Sequence, residues 1–213
     1  MSVEQNLRAV REKIERAGRN PDDVTIVAVT KGFGPEVCRA ALSAGLTVLG
    51  ENRVHEALTK MSEVEGAEWH LIGHLQTNKA RMAAGRFQLI QSVDSLRLAE
   101  HIARFEPSQP VLVEVNVSRE PQKSGVAPDE TVALATEIAK RLDLKGLMAM
   151  GPSHGDPTQA FEELRRLRDD AQEKIGRALP VLSMGMSGDF EAALRAGSTM
   201  LRLGQVLFGP RPE

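Results

Sequence analysis

Short apolar runs and helical patterns take turns along the whole chain. The runs fall at residues 24–29, 46–49, 69–72, 89–93, 111–117, 146–150, 181–184 and 200–203. Their near-continuous hydrophobicity is that of strands buried on both faces, which gives eight strand candidates. Between them the apolar positions recur with the helical period. Asp156 reads as an N-cap and Pro157 as the first residue of a helix that turns Phe161, Leu164, Leu167, Ala171 and Ile175 to one side. Pro128 opens another helix, carrying Ala135, Ile138, Ala139 and Leu142 inward, and Pro35 opens a third that runs toward Gly45. At the N-terminus, Val3, Leu7, Val10, Ile14 and Ala17 share one face, so residues 1–18 predict an amphipathic helix ended by Gly18. Strands that alternate with helices call for parallel pairing and right-handed crossovers, and eight of them predict a closed barrel. The expectation is an α/β fold, a (β/α)8 TIM-type barrel with an extra N-terminal helix. The alternative is an open doubly wound sheet, against which stands the absence of a G-x-G-x-x-G turn after the first strand. No linker or low-complexity tract divides the 213 residues, so residues 1–213 are expected to form a single domain, too short to add a generous second one.

Composition narrows the function classes. A net charge of −2, with basic residues spread along the chain, offers no field for nucleic acid or an anionic membrane. No apolar run approaches the roughly 20 residues that span a bilayer, and the charged N-terminus is not a signal peptide. The single cysteine, Cys38, excludes an intramolecular disulfide or a cysteine-based zinc cluster, and packing is its expected role. A cytoplasmic monomer is the default expectation. The chain contains no tyrosine.

In a barrel of this kind the working residues sit at the C-terminal ends of strands. Lys31 follows the first apolar run, where partial desolvation would make its amine a candidate imine-forming nucleophile; the plainer reading is a lysine reaching out to a carboxylate. Glu51, Asn52 and Arg53 follow the second run, and the segment from Gly73 to Lys79 follows the third. After the seventh run, SMGMSGDF offers Gly185 and Gly188 for a tight turn, the Ser187 hydroxyl, and a short helix from about Asp189 to Ala196. After the eighth, LRLGQ offers Gly204 for a second backbone approach. Loops after strands seven and eight, with a short helix N-terminus, are where such barrels bind phosphate. Closure sets strand eight beside strand one, so a phosphate held there lies near Lys31. A phosphorylated aldehyde bound as an imine is the economical ligand, with Arg202 partnering a ring nitrogen or a second anionic group. His70 and His74 lie on a strand and its loop, without helical two-histidine spacing, so no metal is expected. Met148, Met150, Met184, Met186 and Met200 read as barrel-lining packing.

These motifs carry a resemblance. VAVTK around Lys31, GENRVHEA from Gly50, WHLIGHLQTNKAR from Trp69, KSG at Lys123, GLMAM from Gly146, and LSMGMSGDFEAALRAGSTMLRLGQVLFGPR resemble, in this order, the pyridoxal phosphate homeostasis protein family, whose fold is like the barrel domain of alanine racemase. The resemblance implies that Lys31 forms an internal aldimine with pyridoxal 5'-phosphate and that Asn52 lies near the ring's phenolic oxygen. It implies that Ser187 and the backbone around Gly204 hold the phosphate, with Met186 beside it and Arg202 facing the pyridine nitrogen. Gln205 departs from the threonine of many relatives, which leaves its N–H rather than its side chain to serve. His74 is given no catalytic task. An arginine at the ring nitrogen weakens the cofactor as an electron sink, and alanine racemases use a tyrosine base from a further domain. The expected function is therefore a carrier involved in intracellular homeostasis of pyridoxal 5'-phosphate, with apo-enzymes that use this cofactor as its partners and no strong turnover. The alternatives are a slow amino-acid racemase or lyase that uses Lys31 as its base, and a sensor whose partner binding follows cofactor occupancy.

Overall fold

A computed structural model describes residues 2–210; Met1 and residues 211–213, including the end of the last motif and the two tips of the expected 1–213 domain, lie outside the described residues. Eight parallel strands close on themselves in sequence order. They are β1 (Thr25–Val29), β2 (Val48–Glu51), β3 (Glu68–Leu71), β4 (Leu89–Val93), β5 (Pro110–Glu114), β6 (Asp143–Met148), β7 (Val181–Ser183) and β8 (Met200–Leu203). The barrel shuts where β1 pairs with β8, Val27 lying against Arg202 and Ala28 against Leu203. The eight-stranded (β/α) barrel expected from the sequence is thus the fold.

The helices are α1 (Val3–Arg16), α2 (Pro35–Ser43), α3 (Val54–Met61), α4 (Ala80–Ala83), α5 (Leu96–Ala103), α6 (Thr131–Ala139), α7 (Thr158–Ile175), α8 (Phe190–Arg195) and α9 (Gln205–Phe208). α1 is the extra N-terminal helix. Ser2 and Gln5 form a reciprocal capping box at its start, and its buried residues are Val10 and Ile14. Asn6 Nδ2 donates to the Leu207 carbonyl at 2.8 Å, and Lys13 pairs with Glu191, so α1 is fastened to both α9 and α8.

Alternation along the strands sorts side chains into two layers. Ile26 and Ala28 of β1 face outward to the helices, in one large apolar cluster with Cys38, Phe161 and Leu182. Val27 faces inward and meets Leu89, Leu112, Met148 and Met200. Because both faces are covered, the strands are mostly buried and largely apolar, with single polar residues such as Gln91, Glu114 and Arg202 set among them.

Boundaries differ from the expected ones by a few residues. β2 begins at Val48 and extends to Glu51, a buried carboxylate that hydropathy places outside a strand. β5 stops at Glu114, although apolar residues continue to Val117, because Val115 and Asn116 turn to pair with the loop that carries Val126. β6 starts at Asp143, three residues before its expected apolar start. α7 starts one residue later than expected: Pro157 is its N-cap, and Asp156 accepts from the Thr158 amide and hydroxyl instead of capping directly. Pro128 opens a 3-10 turn, with α6 beginning at Thr131. Among the described residues no helix is long and apolar enough to cross a membrane.

Candidate functional site

The C-terminal mouth of the barrel holds a cleft of about 340 Å³, lined chiefly from the ends of β7, β8, β1 and β2. All seven residues expected to act together line it: Lys31, Asn52, Met186, Ser187, Arg202, Gly204 and Gln205. They come from four strand ends spread over 175 positions of sequence, from Lys31 to Gln205, and only barrel closure brings them together.

Each residue has a local cause for its position. Lys31 is two residues past β1, half-buried, where Gly32 with φ of +76° turns the chain away. Asn52 directly follows β2. A side chain at Gly73 would collide with its backbone, a Cβ there meeting the Asn52 carbonyl oxygen at 2.4 Å, so the β3 loop can lie close only because position 73 is glycine. Gly185 ends β7 with φ of +100°, and a Cβ would meet the Ala193 Cβ at 2.7 Å; this glycine lets the loop turn tightly onto α8. Gly188, expected to share that task, has no such need, for nothing lies within 4 Å of its Cβ position. The short helix runs from Phe190 to Arg195, and Asp189 before it accepts from the Met186 amide at 2.6 Å. Ser187 Oγ accepts from the Val206 amide at 3.2 Å, which ties the β7 loop to the first turn of α9.

Arg202 is the buried cation of the site, 5% exposed. Its Nη1 donates to Ser183 Oγ at 2.7 Å and its Nη2 to the Ala149 carbonyl at 2.8 Å, so its acceptors are uncharged. Burial lowers its pKa to about 10, against the pull of Glu114 and Asp189, and it stays charged at neutral pH. The hydrogen bonds continue inward. Ser183 donates to Gln91 Oε1 at 2.7 Å, which turns Gln91 Nε2 toward His70 Nδ1 at 3.0 Å. The ring must accept there, and burial holds His70 near a pKa of 4, neutral.

Glu114, at the end of β5, is 3% exposed, and its Oε2 has no hydrogen-bond partner. Burial, reinforced by Asp94 and opposed by Arg202, raises it to about 7. Gln91, Ser183 and Glu114 were absent from the expected site; each is a polar residue inside an apolar strand run, the signal by which the sequence marks them. The methionines divide. Met148 and Met200 pack inside the barrel, as expected, whereas Met184 packs in the outer apolar layer; Met148, Met150 and Met186 line the cleft, and Met186 is 38% exposed.

The donor set fits a phosphorylated aromatic aldehyde: an amine, a buried guanidinium, a hydroxyl, a carboxamide and an apolar wall converge on a space of small-molecule size. The family described as "Alanine racemase, N-terminal domain" matches residues 2–212. The chain belongs to this family. A relative in Aquifex aeolicus, named pyridoxal phosphate homeostasis protein, is 41% identical, covering 96% of this chain and 95% of the relative. A protein of the same name in Escherichia coli K12 is 37% identical, covering 98% and 97%. Among solved structures, PipY of Synechococcus elongatus with PLP bound superposes with a TM-score of 0.86 at 31% identity, over 98% of this chain and all of that one. Alanine racemase from Corynebacterium glutamicum shares the fold, with a TM-score of 0.79 at 18% identity, and this chain spans 61% of its length.

Proposed function

We propose that this protein holds pyridoxal 5'-phosphate in the cleft, joined through Lys31 Nζ to the cofactor's aldehyde carbon with loss of water, and helps control its free level in the cell. The observation that carries the reading is the meeting of Lys31, Ser187, Gly204 and Arg202 in one cleft. The cofactor-bound PipY structure, at 31% identity over nearly the whole chain, supports it. Bound pyridoxal phosphate would supply an aldehyde for lysine and a ring able to accept electrons.

In this reading Ser187 and the backbone at Gly204 and Gln205 bind the phosphate, with Met186 packing beside it. Asn52 orients the ring through its phenolic oxygen. Arg202, charged and held by Ser183 and Ala149, donates toward the pyridine nitrogen. A cation there disfavours a proton on that nitrogen and so weakens the electron sink. Together with the absence of tyrosine from the chain, this favours holding over racemisation. The chain would act as one cytoplasmic, monomeric unit and deliver its cofactor to apo-enzymes that require it.

Loading purified protein with pyridoxal 5'-phosphate, followed by gel filtration, tests the reading. One cofactor per chain should be retained and then activate an added apo-enzyme, while alanine incubated with the loaded protein keeps its configuration. No retained cofactor would overturn the proposal. Saturable racemisation or elimination that disappears in Lys31→Ala would replace it with the slow-enzyme reading.

A further inference from the structure

A second lysine bonds to the backbone of the residue before the first. Lys60, on α3, is 4% exposed, and its ammonium donates three hydrogen bonds: to the Thr30 carbonyl at 2.9 Å, Glu51 Oε1 at 2.7 Å and Glu56 Oε1 at 2.8 Å. All three N–H groups are engaged. The same two carboxylate oxygens reach the residues on either side of Lys31. Glu51 Oε1 accepts from the Thr30 hydroxyl at 2.6 Å, and Glu56 Oε1 accepts from the Gly32 amide at 2.9 Å.

We infer that Lys60 and Glu56 are positioning residues for Lys31, clamping the backbone before and after it so that its amine meets the cofactor at a fixed height above the barrel. The inference rests on the proposed function and deepens it.

The chemistry of the cluster favours this role over a purely structural one. Taking the Glu51 carboxylate and the Lys60 ammonium out of water is costly, and apolar side chains of like volume commonly fill such a space with no loss of stability. Here one oxygen, Glu51 Oε2, has no hydrogen-bond partner at all. What an apolar filling could not do is hold two backbone groups, a carbonyl at Thr30 and an N–H at Gly32, on opposite sides of one residue. Burial alone would pull the Lys60 ammonium toward deprotonation; Glu51 and Glu56 outweigh it and keep the pKa above the ordinary lysine value, whereas at Glu51 burial prevails over the Lys60 and Thr30 hydrogen bonds and raises the carboxyl. Burial also works on Glu56, but the Lys60 and Gly32 hydrogen bonds prevail and hold it below the ordinary glutamate value. The strand ends at Val29 and the left-handed turn at Gly32 follows, closed by the Phe33 amide on the Thr30 carbonyl at 3.1 Å; the Lys60 and Glu56 bonds add a side-chain hold on this turn from α3.

Glu56→Ala removes the tether at Gly32 from a partly exposed position, and Glu56→Gln keeps an acceptor there. Two measurements are made on each, beside the parent protein: amide hydrogen exchange at Gly32 without cofactor, and the rate at which added pyridoxal 5'-phosphate becomes borohydride-trappable on Lys31. Glu56→Ala should speed exchange at Gly32 and slow trapping, on the order of tenfold to a hundredfold for a misplaced reacting group. Glu56→Gln should restore most of the trapping rate. Lys60→Met combined with Glu51→Gln removes the charges together and should slow trapping as well; if that chain fails to fold, the Glu56 pair decides. Parent-like trapping in a folded Glu56→Ala protein would overturn the clamp while leaving the proposed function standing. Absence of any trapped adduct on Lys31 in the parent would overturn both.

Discussion

Two groups of opposite charge stand at the barrel mouth, and only one of them lines the cleft. On the β8, β1 and β2 side, Lys31 and Arg202 line an open cleft, and Arg202 is held by a hydroxyl and a carbonyl. On the β4 and β5 side, Glu114 and Asp94 stand close enough to raise the Glu114 pKa, and Glu114 is closed off with an oxygen unpaired. An arginine whose hydrogen bonds go to neutral acceptors keeps its positive charge available to a ligand. The carboxylate that feels it from the far wall attracts it without spending its hydrogen bonds. The difference teaches how a barrel core can be polar and still be directed: the cation faces the cleft and the acid stays behind it.

Arg202→Leu breaks this arrangement most severely. It leaves Ser183 Oγ and the Ala149 carbonyl without their donor and removes the cation near Glu114. A loss of about 3 to 5 kcal/mol is expected, in the range for stripping a partner from a buried charged network, together with lost cofactor retention; urea denaturation measures the first and gel filtration the second. A stability change within about 0.5 kcal/mol, the range of an ordinary surface substitution, would break the comparison.

Glu114→Gln tests the far wall through pH. In the folded protein Glu114 titrates near 7, against an ordinary value of 4.5, so between these the unfolded chain has released a proton that the folded chain keeps. Stability therefore declines as pH rises through that window, by up to about 3 kcal/mol. His70 acts the other way. Its folded value lies near 4, against an ordinary 6.5, so stability declines as pH drops through that window, by a similar amount. The two slopes largely offset each other in the parent protein. Glu114→Gln leaves the His70 slope alone, and unfolding free energies at pH 4.5 and 7 should then differ by about 3 kcal/mol more, in favour of pH 7, than in the parent. Identical pH dependence in both proteins would mean that Glu114 is not the acid described.

Ser187→Ala is the mildest change. It removes the Oγ that accepts from the Val206 amide and that the proposed function assigns to the phosphate. Cofactor affinity should fall roughly tenfold, the worth of one good hydrogen bond, with thermal stability nearly unchanged. Equilibrium titration checks it, and an unaltered affinity would move the phosphate away from Ser187.

Much of the fold was legible in the order of the residues. Eight apolar runs separated by helical patterns specify the barrel, because strands covered on both faces leave no room for polar alternation. The cleft residues were legible for a related reason: barrel topology sends the C-terminal ends of all strands to one mouth, so Lys31, Asn52, Ser187 and Gly204, each just beyond an apolar run, must gather there. The charged interior was not. Glu114 and Gln91 interrupt apolar runs, and a single polar letter does not say whether its side chain turns into the barrel. Lys60 was least visible, since it looks like any lysine near the end of an amphipathic helix, and its partners Glu51 and Thr30 are reached only through the fold. Strand ends slipped at β2 because a buried carboxylate, Glu51, extends the strand, and at β5 because Val115 and Asn116 leave it to pair with the Val126 loop, neither of which hydropathy records.

The most direct test of the central claim is peptide mapping after borohydride reduction of the cofactor-loaded protein. One adduct, on Lys31, at close to one per chain, absent from Lys31→Ala, is the expected result. An adduct distributed over surface lysines, or one that persists in Lys31→Ala, would contradict it.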